Sequence, residues 1–239
     1  MLVKADIHIH TCLSPCAEIT QSPKRVVEKA FNCGIKMIFI TDHNSAENTG
    51  YALKAANKYE GLRVYPGMEI TSKEEVHTLA LFENMYDVLN TQNYIFGYLP
   101  DTNDPKEYEE QIIANDDDEF EGYSKKSLFS SVKLRIEEIL DLVHQNNGLA
   151  IAAHIDRPSF SIISQLGFIP DSLKYDALEI SPNLSIDKAK EIYKEYTKYK
   201  FIKGSDSHNL EMLGNVYTSF EGKNNFDGFK NNLRNTDYC

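Results

Sequence analysis

No apolar run in the 239 residues approaches the roughly 20 residues of a membrane-spanning helix, so no integral membrane role is expected. No glycine-rich phosphate loop of either standard spacing occurs. Cysteine is scarce, with only Cys12, Cys16, Cys33 and Cys239. A structural zinc site needs about four ligands at paired spacings, and no second Cys pair accompanies Cys12 and Cys16. Met1-Leu2-Val3-Lys4 runs straight into Asp6 without a signal-peptide pattern, so reduced thiols and a cytoplasmic location are expected. Basic residues are outnumbered, 25 Lys and Arg against 36 Asp and Glu, for a formal net charge of −11. That balance argues against long nucleic acid or an anionic membrane as partner. It leaves a small nucleotide admissible, because bound divalent cations invert the local field.

What is present is a rhythm. Leu2, Val3, Ile7 and Ile9 mark the first dozen residues as a β-strand rich in apolar and β-branched residues. Ser22 and Pro23 read as N-cap and first residue of a helix, with Val26, Val27, Ala30 and Phe31 on its apolar face. The short apolar runs at 37–41, 149–153, 177–180 and 201–203 suit buried parallel strands. Strand and helix alternate about seven times, which implies a mainly parallel sheet. Residues 84–131 break the rhythm: they are long, polar and acidic, and read as a loop-rich, lid-like insertion in a single domain spanning 1–239.

Six of the seven histidines fall at or near expected strand ends: His8, His10, His43, His77, His154 and His208. Glu69 and Asp206 fall there too. His8 and His10 share one face of their strand, because successive strand side chains alternate. Alone, His-x-His is equally a pair of ordinary histidines on a half-exposed strand. Eight nitrogen and oxygen ligands recurring at strand ends are too many for one ion and suit two or three, with zinc, manganese or iron matching the donors. Ligands from first, second, middle and last strands require a closed ring, and a closed (β/α) TIM-like barrel gathers such ends on one face.

Asp6-x-His8-x-His10-Thr11, Thr41-Asp42-His43-Asn44, Glu69, His77, Ala153-His154 and Ser205-Asp206-Ser207-His208 together resemble the motifs of the PHP (polymerase and histidinol phosphatase) family. The resemblance implies a distorted (β/α)7 barrel, two or three divalent metals and phosphoester hydrolysis. It assigns His8, His10, Glu69 and Asp206 to a first ion, and His43 and His208 to a second. Glu69 would bridge to a third ion held by His77 and His154. Relatives place an Asp or His where this chain has Pro15 or Cys16; Glu18 is the expected replacement, with Cys16 the alternative.

The expected activity is a metal-dependent phosphoesterase acting on a small phosphorylated metabolite or nucleotide. Two ions about 3.5–4 Å apart share a water and make it hydroxide near neutral pH. Arg157, three residues past His154, is placed to clamp a phosphate, although a surface salt bridge is the plainer role. No general acid stands out. The alternatives are a metal-dependent amidohydrolase, which also uses His-x-His on a first barrel strand, and a non-catalytic module binding metal or nucleotide.

Overall fold

A computed structural model of the chain describes residues 1–102 and 110–234; residues 103–109 of the expected insertion lie outside that description. Ten strands are described: β1 (Leu2–Ile9), β2 (Met37–Ile40), β3 (Arg63–Thr71), β4 (His77–Leu81), β5 (Ile112–Ala114), β6 (Phe120–Tyr123), β7 (Leu149–Ala152), β8 (Ala177–Glu179), β9 (Phe201–Ile202) and β10 (Thr218–Glu221). Eight of them form one sheet in the order β10-β1-β2-β3-β4-β7-β8-β9. Its two edges meet beyond the end of β9. Thr218 Oγ1 on β10 accepts from Lys203 N beyond β9 at 2.8 Å, and His10 N donates to Ser207 O at 3.2 Å. The result is a nearly closed α/β barrel, as expected.

The sheet is less parallel than the rhythm implied. β1, β2, β3, β7, β8 and β9 share one direction, whereas β4 and β10 run against their neighbours. The physical reason for β4 is short reach. Only residues 72–76 separate it from β3, and a parallel return needs a dozen residues or more. Reversal places the start of β4, where His77 sits, at the same end as the finish of the parallel strands.

The barrel interior holds Val3, Ala5 and Ile7 with Met37, Phe39, Leu79, Leu81 and Ile151. Helix α7 (Phe226–Arg234) adds Phe226, Phe229 and Leu233 to this cluster and plugs the end opposite the histidines. The pairing of β1 with β2 slips between Asp6 and Ile9. Below the slip the odd residues of β1 face inward. Above it Ile9 packs outward on Val26 and Val27 of α1 (Pro23–Asn32), so His8 and His10 turn to the interior. A bulge of this kind re-aims side chains, and here it switches the lining from apolar to ligating.

Ser22 caps α1, its Oγ accepting from Arg25 N, and Pro23 opens the helix, as the sequence indicates. α2 (Thr49–Ala56) follows β2. The segment 84–131 is only partly loop. It opens with α3 (Met85–Phe96), capped by Asn84, whose Val88 and Ile95 pack with Phe82 and with Ile139 of α4 (Ile136–Gln145). Residues 110–131 form the β5–β6 hairpin and a return that crosses the histidine-bearing end, tied there by Ile112 N to Cys12 O at 3.0 Å. α5 (Ile162–Leu166) and α6 (Ile186–Ile192) complete the outer layer.

Candidate metal centre

Eight expected ligands converge at one end of the barrel. Glu69 on β3 is the hub. Its Oε1 lies 3.4 Å from His8 Nε2, 2.8 Å from His77 Nδ1 and 3.1 Å from His154 Nε2. Its Oε2 lies 3.5 Å from His10 Nε2 and 3.1 Å from His43 Nδ1. Asp206 Oδ1 stands 3.3 Å from His8 Nε2, 3.2 Å from His10 Nε2 and 3.7 Å from His208 Nδ1. Asn44, His154 and Asp206 all hold left-handed backbone, with φ of 50°, 28° and 48°. Strain of this kind, collected where strands break into loops, accompanies functional sites.

Hydrogen bonding fixes which imidazole nitrogens point inward as lone pairs. His8 Nδ1 faces both oxygens of Glu179, at 3.1 and 3.0 Å, and must donate to them. Ser14 Oγ donates to Asp42 Oδ1 at 2.6 Å, so His10 Nδ1, 3.1 Å from Ser14 Oγ, is the donor of that pair. His208 Nδ1 donates to the Asp206 carbonyl at 2.8 Å. In the neutral rings each Nε2 is then an acceptor. Those of His8 and His10 sit 3.2 Å apart, facing carboxylate oxygens that are acceptors too. The buried Nδ1 of His154 has no hydrogen-bond partner, and that of His77 meets Glu69 Oε1 at 2.8 Å without hydrogen-bond alignment. Acceptors converging on acceptors need positive charge between them, and the residues therefore fit divalent cations.

The electrostatics agree at Glu69, Asp206, His43 and His208, whereas His8 favours a proton that a bound cation must displace. Burial opposes ionisation of Glu69, yet His77, His8 and His43 hold its carboxyl well below the usual range. Burial likewise opposes Asp206, and His8 and His10 hold it well below its ordinary value. Burial pushes His43 well below, and His208 below, the ordinary imidazole range. Burial also works against an imidazolium at His8, but Glu179, Asp206 and Glu69 push it well above. Ionised carboxylates and neutral His43 and His208 are the forms that bind metal.

Four ligand groups have donor atoms within 4.8 Å of one another: His8, His10 and Glu69; His10, Asp206 and His208; His43, Glu69 and His77; and His10, Cys16 and His43. Glu18 joins none of them. Its backbone N donates to His208 O at 2.8 Å, but its side chain turns outward to accept from Thr20 Oγ1 at 3.2 Å. The turn closed by Ala17 N to Ser14 O presents Cys16 to the cluster in its place. Asp42 orients His10 through Ser14, and Asp6 instead accepts from Ser205 N at 2.8 Å, holding the loop that carries Asp206. His144 lies apart and pairs with Asp176 at 2.9 Å.

Glu179 escaped the sequence reading. It is buried, partners His8, and accepts from His154 N at 3.0 Å through Oε2. Its only signal is a carboxylate ending an otherwise apolar strand, Ala177-Leu178-Glu179-Ile180.

The cluster opens into a cavity of about 200 Å³ lined by Cys16, His43, His77, Arg157, Asp206 and His208, with Phe129 and Phe160. Arg157 Nη2 contacts Asp206 Oδ2 there while its side chain stays 37% exposed, so the guanidinium borders the cavity rather than being sealed behind it.

Residues 6–205 match the PHP domain. The chain belongs to the PHP domain family. Residues 184–237 also match the PHP-associated region that accompanies it. Family membership and the His/carboxylate cluster together support a metal-dependent hydrolase. An uncharacterised protein of Methanocaldococcus jannaschii, MJ1587, is 31% identical over 102 residues, 39% of this PHP chain and 59% of that protein. Two structures of endonuclease Q share the fold: the lesion-specific enzyme of Pyrococcus furiosus (TM-score 0.75, 18% identity) and a complex with a 27-mer duplex bearing an abasic lesion at the active site (0.74, 19%). Each covers 98% of this chain, which spans only 56% and 57% of theirs. A candidate metal-dependent phosphoesterase of Bifidobacterium adolescentis superposes with TM-score 0.61 at 20% identity, covering 95% of this chain and 94% of its own. The endonuclease Q complex overturns the expectation that long nucleic acid is no partner. Endonuclease Q, which shares this fold over part of its length, binds duplex DNA, so the formal charge of −11 is no ground for exclusion.

Proposed function

We propose that this PHP protein is a phosphoesterase that releases phosphate from a phosphorylated metabolite or nucleotide. The observation that carries this reading is Arg157, a guanidinium bordering the ligand-lined cavity beside Asp206. Arginine presents paired N–H donors that match two phosphate oxygens, so its place beside the ligands suits a phosphoryl group.

His8, His10, Glu69 and Asp206 would hold one ion, His43 and His208 a second, and His77 and His154, sharing Glu69, a third. Zinc, manganese and iron(II) all suit these donors. When bound, such ions polarise a phosphoryl oxygen and acidify water. The chain's own part is positioning. Glu179 and Ser14 fix the His8 and His10 rings, Asp6 anchors the Asp206 loop, and Arg157 orients the phosphate. Free thiols at Cys12, Cys16 and Cys33 support a reducing, cytoplasmic setting.

A second reading is scission of a phosphodiester in nucleic acid, favoured by the match to endonuclease Q over nearly the whole chain. One panel tests both. Manganese-loaded protein is offered sugar phosphates, histidinol phosphate, nucleoside monophosphates, 3′,5′-bisphosphates, short oligonucleotides and a duplex with an abasic site. Phosphate release that disappears in Asp206→Asn, with KM raised in Arg157→Met, is the expected result. Strand cleavage without phosphate release selects the second reading. Amide or lactone hydrolysis with neither overturns both.

A further inference from the structure

We propose that Phe129 and Phe160 form a stacking platform for a nucleobase, so that the phosphoester processed here carries a base. The proposal rests on the phosphoesterase reading for the reacting group and on separate residues for the base.

Both phenylalanines line the cavity that holds the ligands and Arg157. Phe129 is 62% exposed and Phe160 43%, at the mouth of the site beside the partly exposed Arg157. Each has one ring face occupied. Phe129 lies over His43 with ring centroids 6.2 Å apart and planes inclined by 28°. Phe160 stacks on His77 at 4.8 Å and 18°.

Neither ring is a loose surface side chain, because the backbone around each is pinned to a ligand-bearing segment. Asn44, next to His43, donates through Nδ2 to Leu128 O at 2.9 Å and to Ser130 O at 3.0 Å, one on either side of Phe129. The Asn44 side chain is itself fixed, since its Oδ1 accepts from Thr71 N at 3.0 Å. The Phe160 carbonyl accepts from His77 N at 2.9 Å, and Phe160 adopts φ of 56°, rare for an aromatic residue. Ser161 Oγ, immediately after it, donates to Arg157 O at 2.8 Å. One turn thus carries His154 as ligand, Arg157 for phosphate and Phe160 as an exposed ring.

An apolar ring held rigidly in water, in strained backbone, offers a flat face at no further ordering cost. Simple alkyl phosphates have no face to match it, and a sugar offers only a puckered C–H face rather than a flat π surface. Every nucleobase does, and base-to-aromatic stacking contributes roughly a 5- to 150-fold gain in affinity, the equivalent of about 1–3 kcal/mol. The base arrives either on a free nucleotide or on the end of a strand, and the stacking chemistry is common to both.

The test measures binding apart from turnover. The metal-loaded protein is titrated calorimetrically with the methylenephosphonate analogues of adenosine monophosphate and ribose 5-phosphate, which resist hydrolysis. A second pair is a phosphorothioate oligonucleotide ending in adenosine and the same strand ending in an abasic residue. The wild type is expected to prefer the base-bearing member of at least one pair, and preference confined to the second pair assigns the base to a strand end. Phe129→Leu and Phe160→Leu should each shrink that preference at least fivefold, while Phe129→Tyr and Phe160→Tyr keep it. Equal binding of both members of both pairs by wild type, or an undiminished preference in the leucine variants, overturns the proposal. A Phe-dependent preference without phosphate release from any ester supports the platform and refutes the phosphoesterase.

Discussion

Replacing Glu179 by glutamine separates a metal-positioning role from a merely structural one. Both carboxylate oxygens face His8 Nδ1, at 3.1 and 3.0 Å, and one of them also accepts from His154 N at 3.0 Å. Glutamine keeps the size but has one acceptor oxygen, so its NH2 must face one of these donors. The side chain has no room to turn away, since a Cβ on Gly204 would already meet Glu179 Oε1 at 2.8 Å and His8 Cβ at 2.7 Å. A buried donor left without a partner costs about 1–3 kcal/mol. Loss of the carboxylate behind a ligating imidazole lowers metal affinity about 10- to 100-fold, or about 1.4–2.7 kcal/mol. Glu179→Gln should therefore weaken zinc or manganese binding by at least tenfold, measured by competition with a chromophoric chelator. Urea unfolding of the metal-free variant, run alongside, should show a loss of about 1–3 kcal/mol. Metal affinity within twofold of wild type would refute the argument that Glu179 sets the His8 tautomer.

Asn44→Ala removes three buried hydrogen bonds and leaves alanine at a φ of 50°, so a loss of about 2–4 kcal/mol in urea unfolding is expected, with faster amide exchange confined to 127–131. Gly148→Ala drives a Cβ to 2.6 Å from Phe82 Cε1 and 2.8 Å from Val143 Cγ1; overpacking of this sort costs about 1–3 kcal/mol and should lower the melting temperature. Burial first, then the Asp42 charge, pushes the Cys12 thiol up to about 12, leaving roughly one thiol in ten thousand ionised at pH 8. Iodoacetamide at that pH should therefore spare Cys12 in the folded protein and label it once urea unfolds the chain, as read by peptide mass spectrometry.

Much of the centre was legible because its ligands obey a positional rule. His154 ends a short apolar run directly, His10, His43 and Asp206 follow the last residue of β1, β2 and β9 within four positions, and a closed barrel puts such ends on one face. Glu69 and His77 were legible as neighbours only through the family resemblance, not through strand order. Their approach depends on the reversal of β4, which the five residues between β3 and β4 already demanded. Glu179 was invisible for another reason. A single carboxylate in a strand has no spacing to mark it, and only the barrel's curvature brings it behind His8. The choice between Glu18 and Cys16 turned on one backbone turn, Ser14 to Ala17, whose direction no side-chain chemistry announces. In the segment 84–131, helix α3 was hidden because its buried residues, Val88, Thr91, Gln92 and Ile95, mix polar with apolar and blur the helical period.

Net charge misled for a reason the centre makes explicit. The value of −11 counts Asp6, Asp42, Glu69, Glu179 and Asp206, five carboxylates buried at or beside the metal centre. None of them presents an open negative surface to a partner. Two or three divalent ions would bring the total to about −7 or −5, with the added positive charge concentrated at the cavity where a phosphate arrives. A partner approaching that cavity meets Arg157 at its border, and about 0.15 M salt screens surface charge beyond about 8 Å. The composition of the chain therefore describes its solubility better than its choice of anion. On the proposed reading, phosphate recognition depends on where charge is buried rather than on how much the sequence carries.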